Sequence, residues 1–358
     1  SAMDGYAVLA DDVAAATDEN PVALPVVEDI PAGRTDMLTL KPGTAHRIMT
    51  GAPVPAGATA IVPVEDTDGG SRRAGDISSG TETVEIRTAA KAGRHIRRAG
   101  EDVTAGVTVL RSGQVVTPAV LGLAAALGLT ELAVTPRQRL LVVSTGEELV
   151  AAGRPLRPGQ IYESNAVMLA AAVREAGGEV VAATMTGDDV DEFRHALATY
   201  AGLADLIITT GGVSAGAYEV VKDSLRAEGI EFVKVAMQPG MPQGAGRLEG
   251  TAIVTLPGNP VSALVSFEVF VRPALRAAMR LPSPHRPRRT VVLAEALTSP
   301  KGKRQFRRGV LGEDGVTAYG PPASHHLRWL ASANCLLEIG EDVTEMAAGS
   351  LVDVWDLR

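Results

Sequence analysis

The sequence contains a single cysteine, Cys335, and this scarcity excludes two kinds of stabilising site. A disulfide within one chain needs two cysteines, and a zinc site made of thiolates needs several. A lone thiol suits a reducing compartment, so we expect a cytoplasmic protein.

Aromatic residues, positive charge and long apolar runs are scarce as well. Aromatic residues make up 3% of the chain, and the formal net charge is −8. We therefore expect no nucleic acid as a partner, because its binding relies on basic surfaces and aromatic stacking. No run of about 18 apolar residues occurs, so we expect no membrane-spanning helix. The chain starts at Ser1 rather than at methionine, which leads us to expect an upstream segment.

Hydrophobic residues make up 46% of the sequence, which is enough for well-formed cores. The first region, residues 8–100, has short apolar runs separated by proline and glycine pairs, a pattern typical of an all-β module. The runs are VALPVVEDI, AIVPVED, TVEIRT and HIRRAGEDV. Residues 117–129 then predict one helix, with Thr117 as its N-cap and Pro118 at its first position.

From Arg137 onward, near-continuous apolar strands alternate with helical segments, which predicts a mostly parallel, doubly wound α/β sheet. The strands are RLLVVSTG, EVVAATMTG, DLIITTGG and TAIVTLPG, and the helices lie near 164–176, 190–201, 218–228 and 260–280. The segment 281–289 is rich in proline and arginine and is typical of a linker. The remaining residues predict a small β-barrel or sandwich.

One glycine-rich loop follows the strand in ADLIITTGGVSAGAYEVVKDSL, residues 204–225. Gly211, Gly212 and Gly216 would let the backbone approach a ligand closely, and Ser214 could cap the next helix and donate to an oxyanion. The loop lacks the Gly-Lys-Ser/Thr ending of a P-loop. An ordinary strand-to-helix turn could have the same residues, so the loop alone leaves both interpretations open.

Two further strand ends carry similar polar loops. TLPGNPVSALVSF turns through Pro257, Gly258, Asn259 and Pro260 and predicts a helix capped near Ser262. VSTGEEL places three small residues and two acids after a strand: Ser144, Thr145, Gly146, Glu147 and Glu148. Because the carboxyl ends of parallel strands share one edge of a sheet, the three loops together favour one site for a phosphorylated ligand.

Acidic residues occupy comparable turns, at Asp188 and Asp189, at Asp102 and at Asp4. Each could be a solvated turn residue. If they meet a phosphate loop, Mg²⁺ would be needed to offset the repulsion between the two sets of oxygens.

Lysines are few, because 28 of the 34 basic residues are arginines. Lys222 and Lys234 lie just beyond the glycine loop, as point charges for an anion or as ordinary solvent-facing residues. The basic stretch RPRRTVVLAEALTSPKGKRQFRRG could also supply contacts to an oxyanion or could be a solvated face.

Seven stretches carry a family resemblance: SAMDGYA, RIMTGAPVPAGATAIVPVED, RRAGEDV, STGEELV, GQIYESN, TTGGVSAG and LPGNPVSAL. In this order they resemble the molybdopterin molybdenumtransferases of the MoeA type, whose animal relative is the E domain of gephyrin. The resemblance runs from Ser1 to about Trp355. It implies a transferase of molybdenum cofactor biosynthesis that takes adenylated molybdopterin and molybdate, releases AMP with help from Mg²⁺, and leaves molybdenum on the dithiolene.

The resemblance also implies an architecture and partners. A central doubly wound α/β domain would bind molybdopterin, with a β-rich arm, a linking segment and a C-terminal β-barrel around it. The implied bounds are 1–100 for the arm, 101–136 for the linking segment, 137–285 for the α/β domain and 286–358 for the barrel. The partners would be a second copy in a homodimer that shares its active sites, an upstream enzyme that adenylylates molybdopterin, and downstream molybdoenzymes.

Residue by residue, the family's functional positions can be carried over. The catalytic ones fall on Asp4, Thr50, Asp102, Glu148, Asp188 and Lys234. The cofactor-binding ones fall on Ser144, Thr145, Gly146, Gly211, Gly212, Ser214, Gly216, Pro257, Gly258, Asn259, Pro260, Ser262 and Ser324. The metal ligands would be Asp188 and Glu219.

Two departures from the family pattern bear on anion binding. Glu219 stands where the family usually has aspartate, and QPGMP, with Gln238 and Met241, replaces a lysine-rich stretch like KPGKP. Two alternatives stay open: a molybdopterin adenylyltransferase built on a domain like 137–285, and a dimeric scaffold of the gephyrin type. The choice between molybdate and tungstate is also open.

Overall fold

A computed structural model describes residues 1–68, 82–212, 220–226 and 228–358. Packing divides the chain into two units, unit 1 from Ser1 to Ser112 and unit 2 from Gly113 to Arg358. The finer division into four domains remains a prediction. No helix in the described ranges is long and apolar enough to cross a membrane.

Unit 1 is built around a five-stranded sheet with the order β4-β1-β3-β2-β5. The strands are β1 Gly5–Val8, β2 Val22–Ile30, β3 Ala45–Ile48, β4 Ala60–Pro63 and β5 Thr83–Ile86. Small and β-branched residues fill its two cores, as the low aromatic content requires. Three of the four predicted runs are confirmed as strands. HIRRAGEDV forms turns instead, and most of its residues are half-buried or exposed.

Unit 2 contains an α/β region whose elements alternate as predicted. They are α1 Pro118–Ala126, β6 Arg139–Thr145, β7 Leu149–Val150, β8 Ile161–Tyr162, α2 Asn165–Glu175, β9 Glu179–Thr186, α3 Val190–Tyr200, β10 Leu206–Thr210, α4 Val220–Arg226, β11 Glu231–Lys234, β12 Met237–Gln238, β13 Pro242–Leu248, β14 Thr251–Leu256, α5 Pro260–Ser266, a π-helix Phe267–Val271, and α6 Arg272–Ala278. Thr117 caps α1 by accepting a hydrogen bond from the Val120 N–H at 3.3 Å, as predicted.

The sheet of this region has the order β11-β13-β14-β10-β6-β9, and β14, β10, β6 and β9 are parallel. Alternate residues of β6 enter opposite cores, because successive side chains of a strand point to opposite faces. Leu140 and Val142 pack with α2, the π-helix and α6, whereas Leu141 and Val143 pack with α3 and α4. Helices therefore cover both faces, which confirms the doubly wound sheet.

The C-terminal part of unit 2 is β-rich, with β15 Arg288–Val292, β16 Leu297–Thr298, β17 Arg304–Leu311, β18 Val316–Ala318, α7 Leu327–Ala331, β19 Cys335–Ile339, β20 Glu345–Met346 and β21 Leu351–Asp356. Its main sheet has the order β12-β17-β19-β21-β15. Strand β12 thus comes from the α/β region and pairs with β17 in parallel. A shared core, which includes Val261, Phe306 and Trp355, joins the two regions.

The segment 281–289, predicted as a linker, is anchored through Arg286. Arg286 is 7% exposed, and its guanidinium donates two hydrogen bonds of 2.9 Å to the carboxylate of Glu268, a residue that is 2% exposed. Glu175 forms a second ion pair with Arg286 at 2.7 Å. The buried pair of Arg286 and Glu268 fastens the start of the C-terminal sheet to the π-helix.

Candidate functional site

A cavity of about 980 Å³ lies at the carboxyl ends of β6, β10 and β14. Ligands of open α/β sheets bind at this edge, because loops and helix N-termini converge there. Most of the α/β loop residues predicted from the sequence line the cavity: Thr145, Gly146, Glu148, Asp188, Gly211, Gly212, Pro257, Gly258, Asn259, Pro260 and Ser262. Ser324 of the C-terminal region joins them. Ser214, Gly216 and Glu219 lie outside the described residues.

Gly211 is required by the close packing of the three loops. Its φ is +94°, and a Cβ there would lie 2.4 Å from the carbonyl oxygen of Thr145. Its N–H donates to the Leu256 carbonyl oxygen at 3.2 Å, just as the Gly146 N–H donates to the Thr186 carbonyl oxygen at 3.1 Å. These two amides are therefore used within the protein, and the glycines serve mainly to bring the loops together.

Asn165, at the start of α2, connects two of these loops, and the sequence-based prediction missed it. Its side chain is buried, and its Nδ2 donates to Thr210 Oγ1 at 2.9 Å and to the Gly258 carbonyl oxygen at 2.7 Å. Its Oδ1 is buried and has no partner among the described residues. The GQIYESN motif contains this residue, but its role depends on the loops that the fold brings to it.

Ser144 does not line the cavity, although it was predicted to bind the ligand. It is 1% exposed, and its Oγ donates to Glu163 Oε1 at 2.8 Å. The same oxygen accepts the Ala166 N–H at 2.6 Å and so caps the first turn of α2. Ser144 thus orients Glu163, whose side chain lines the cavity.

The helix cap predicted near Ser262 is wrong. Helix α5 begins at Pro260, with Asn259 in extended backbone conformation as the N-cap residue. Proline favours the first helical position because its missing N–H is not needed there, so the helix starts three residues earlier than predicted. Asn259 Nδ2 donates to Ser324 Oγ at 2.9 Å and so joins the α/β loop to the C-terminal region.

Two acids of the cavity wall come from different strand ends. Glu148 is exposed after β6, and Asp188 is half-buried after β9. Asp189 has the simpler role of a helix cap, because its Oδ1 accepts the N–H groups of Asp191 and Glu192, both at 2.9 Å.

Among the described lining residues, Lys303 supplies a positive charge, and His325 also belongs to the wall. Lys303 belongs to the basic stretch RPRRTVVLAEALTSPKGKRQFRRG. The fold shows which of the cations of that stretch reaches the cavity wall. Lys234, by contrast, is exposed on β11 and is not among the lining residues.

Gln238 and Met241, which replace the lysines of the family's KPGKP-like stretch, both line the cavity. Gln238 Oε1 accepts a hydrogen bond from Gln305 Nε2 at 3.2 Å. Glu148, Glu163 and Asp188 also belong to the wall, so its described residues carry more carboxylates than ammonium groups.

In unit 1, Asp4 and Thr50 form a hydrogen-bonded pair, whereas Asp102 is exposed in a turn. Asp4 Oδ1 accepts the Thr50 N–H at 2.6 Å and the Thr50 hydroxyl at 2.7 Å. The hydrogen bond from the backbone, followed by that from the hydroxyl, holds the pKa of Asp4 below its usual value.

We expect Thr50→Val to raise the pKa of Asp4 towards its ordinary value of about 4, because the ionised carboxylate loses one of two donors. A lowered folded-state pKa adds stability above that range, which is lost as the pH falls through the folded-state pKa. This contribution to the stability of the fold is small because Asp4 is exposed. A carboxyl ¹³C NMR titration measures the pKa, and Thr50→Ser is the control that keeps the hydroxyl. An identical Asp4 pKa in Thr50→Val and wild type would contradict the assignment.

Three family models match the chain. They are the MoeA N-terminal region (domain I and II) over residues 1–128, a probable molybdopterin binding domain over 141–277, and the MoeA C-terminal region (domain IV) over 290–357.

Curated relatives and solved structures agree with these matches. Molybdopterin molybdenumtransferase 2 of Mycobacterium tuberculosis is 68% identical over 366 residues, covering 100% of this chain and 88% of that protein. Molybdopterin molybdenumtransferase of Bacillus subtilis is 32% identical, covering 100% of this chain and 83% of that protein. A crystal structure of a molybdopterin biosynthesis MoeA protein from Pyrococcus horikoshii OT3 is similar with a TM-score of 0.70 at 26% identity, covering 99% of this chain and 86% of that one.

Proposed function

The chain belongs to the MoeA family of molybdopterin molybdenumtransferases, and from this premise we propose that its cavity in unit 2 is where molybdenum is transferred to molybdopterin. The chain is a transferase of molybdenum cofactor biosynthesis. Its substrates would be adenylated molybdopterin and molybdate, and its second product AMP. The observation that carries the proposal is the meeting of three glycine-bearing loops at the carboxyl ends of β6, β10 and β14.

The wall residues suit an anionic substrate through a few placed donors. Ser324 Oγ accepts a hydrogen bond from Asn259, so its own O–H can donate to a ligand oxygen. Lys303 supplies a positive charge to the same cavity. Asn165 keeps the loops at Thr210 and Gly258 in place, so that these donors act from a fixed wall.

Mg²⁺ fits this wall because Glu148 and Asp188 both line the cavity. Within the described ranges, no group of three or more His, Cys, Asp or Glu could hold a metal ion by itself. Mg²⁺ usually needs only one or two protein carboxylates and completes its shell with phosphate oxygens and water. We therefore propose Asp188 and Glu148 as its ligands, together with Glu219 outside the described part of the chain. The ion would supply charge neutralisation at the phosphate.

The test of the proposed function is an incubation of the full chain with adenylated molybdopterin, Mg²⁺ and molybdate. We expect AMP release together with molybdenum in the pterin fraction. An adenylyltransferase would instead consume ATP and adenylylate free molybdopterin, and a scaffold would do neither. AMP release without molybdenum in the pterin would also contradict the proposal.

Gly258→Ala should weaken binding of adenylated molybdopterin about tenfold, because it adds a methyl group to the exposed cavity wall. The new Cβ would lie 3.4 Å from Gly211 Cα, an ordinary contact that leaves the fold intact. Gly212→Val is a poorer probe, since its Cβ would meet Val221 at 3.0 Å.

Calorimetry measures the affinity of the Gly258→Ala variant for adenylated molybdopterin. Gly202→Ala is the matched control. A Cβ at Gly202 meets nothing within 4 Å, and this glycine is not among the lining residues. Wild-type affinity in a folded Gly258→Ala chain would show that the ligand lies elsewhere.

The assembly and the cellular setting are part of the same proposal. We propose a cytoplasmic homodimer that receives its substrate from an enzyme that adenylylates molybdopterin and delivers its product to molybdoenzymes. The buried thiol of Cys335 is consistent with a reducing compartment. Light scattering at micromolar concentration should give twice the mass of the chain, and a single-chain mass would overturn the homodimer.

A further inference from the structure

Arg308, on β17, is a buried cation. The residue is 4% exposed, and no carboxylate of the described residues forms an ion pair with its guanidinium. Burial, followed by the like charge of Arg307, lowers the pKa of its guanidinium. A buried charge is costly unless hydrogen bonds satisfy it, so the contacts of Arg308 indicate what it does.

Every side-chain hydrogen bond of Arg308 to a described residue goes to a backbone carbonyl of one segment, residues 321–326. Its Nη1 donates to the carbonyl oxygens of Ala323 at 3.0 Å and of His326 at 3.5 Å. Its Nη2 donates to the carbonyl oxygen of Pro321. A planar guanidinium with five donors can hold several carbonyls at once, which a lysine cannot match. Arg308 therefore fastens this segment to β17.

The same segment supplies four residues of the cavity wall, Pro322, Ala323, Ser324 and His325, of which Ser324 and His325 have polar side chains. It is also held from the opposite side, by the α/β region. Ser324 Oγ accepts from Asn259 Nδ2 at 2.9 Å, and the Ser324 carbonyl oxygen accepts the Val261 N–H at 3.0 Å. The segment thus lies between β17 and the start of α5.

We propose that Arg308 is a positioning residue that holds segment 321–326 against the start of α5, so that Ser324 and His325 face the substrate. Arg308 itself is not among the residues that line the cavity, so it acts through the segment. The proposal rests on the proposed function for its effect on substrate binding. Its structural part stands on the carbonyl contacts alone.

The experiment compares Arg308→Met and Arg308→Lys with wild type in the full chain. In Arg308→Met we expect the Val261 amide to exchange with solvent at least about tenfold faster, because its acceptor on Ser324 is no longer held. We expect the dissociation constant for adenylated molybdopterin to rise about tenfold. Arg308→Lys should lie between the two, since one ammonium replaces part of the donor set. If Arg308→Met does not fold, Arg308→Lys decides.

A double-mutant cycle separates positioning from general destabilisation. If Arg308 acts by placing Ser324, the double variant Arg308→Met/Ser324→Ala should bind no more weakly than Arg308→Met alone. Leu337→Val is the matched control, because Leu337 is fully buried in the C-terminal core. It should lower the melting temperature without changing Val261 exchange or substrate affinity.

Unchanged Val261 exchange in both Arg308 variants, or additive losses in the cycle, would overturn the proposal. A wild-type chain that does not bind adenylated molybdopterin would overturn the proposed function instead. In that case the exchange rate of Val261 would still decide whether Arg308 holds the segment.

Discussion

Asp188→Asn should slow AMP release by about 100-fold or more, because it removes the negative charge that we assign to Mg²⁺ binding at the phosphate. Asp188 lines the cavity and is half-buried, so its carboxylate is placed to act on a bound substrate. Asparagine keeps the size of the side chain. The measurement is the initial rate of AMP release at several Mg²⁺ concentrations, with excess chelator as the lower reference.

Asp191→Asn is the matched control for this experiment. Asp191 is an exposed acid in the first turn of α3, three residues away, and is not among the residues that line the cavity. We expect the rate of AMP release by Asp191→Asn, and the Mg²⁺ dependence of that rate, to match those of wild type. A wild-type rate and Mg²⁺ dependence in Asp188→Asn, or full turnover in excess chelator, would contradict the metal assignment.

Glu268→Gln should destabilise unit 2 by about 3–5 kcal/mol, the usual cost of removing one partner from a buried ion pair. Glu268 is 2% exposed and accepts two hydrogen bonds of 2.9 Å from Arg286. Arg272, itself 8% exposed, lies 3.7 Å from the same carboxylate. Burial lowers the pKa of Arg286, but the hydrogen bonds and charges of Glu268 and Glu175 outweigh it and the net shift is upward. Without Glu268, two buried guanidinium groups lose their buried counter-charge.

Glu175→Gln is the control for this variant, because Glu175 pairs with the same Arg286 at 2.7 Å while its side chain is 55% exposed. An exposed partner contributes about 1 kcal/mol or less. Chemical denaturation followed through tryptophan fluorescence measures the free energy of unfolding of both variants. Equal stabilities of Glu268→Gln and Glu175→Gln would show that burial of the pair does not matter.

The α/β region was the part of the fold most accessible from sequence. Strand β6 is buried along almost its whole length, and the near-continuous apolar run of RLLVVSTG reflects this. The helix start at Thr117 and Pro118 was predicted because capping is a local interaction. The same local rule was misapplied at Ser262, where the proline at position 260 sets the start of the helix.

Unit 1 shows how far sequence patterns can predict short strands. HIRRAGEDV was predicted as a strand but forms turns. Strands of four residues that were not predicted, β1 and β3, depend on the neighbours with which they pair more than on their own residues.

The sequence by itself determined which loops are polar and glycine-bearing, and the family to which the seven stretches belong. It did so because strand ends, helix caps and positive φ angles are local properties of the chain. Only the tertiary structure decided that Ser144 supports Glu163 instead of lining the cavity, that Asn165 ties two loops together, and that Lys303 reaches the wall.

Arg286 and Arg308 look like any other arginine in a basic stretch. Their burial and their partners are set by contacts between residues far apart in the chain, such as Arg286 with Glu268. No local pattern encodes such contacts, because each depends on where the packing of both cores places the two groups.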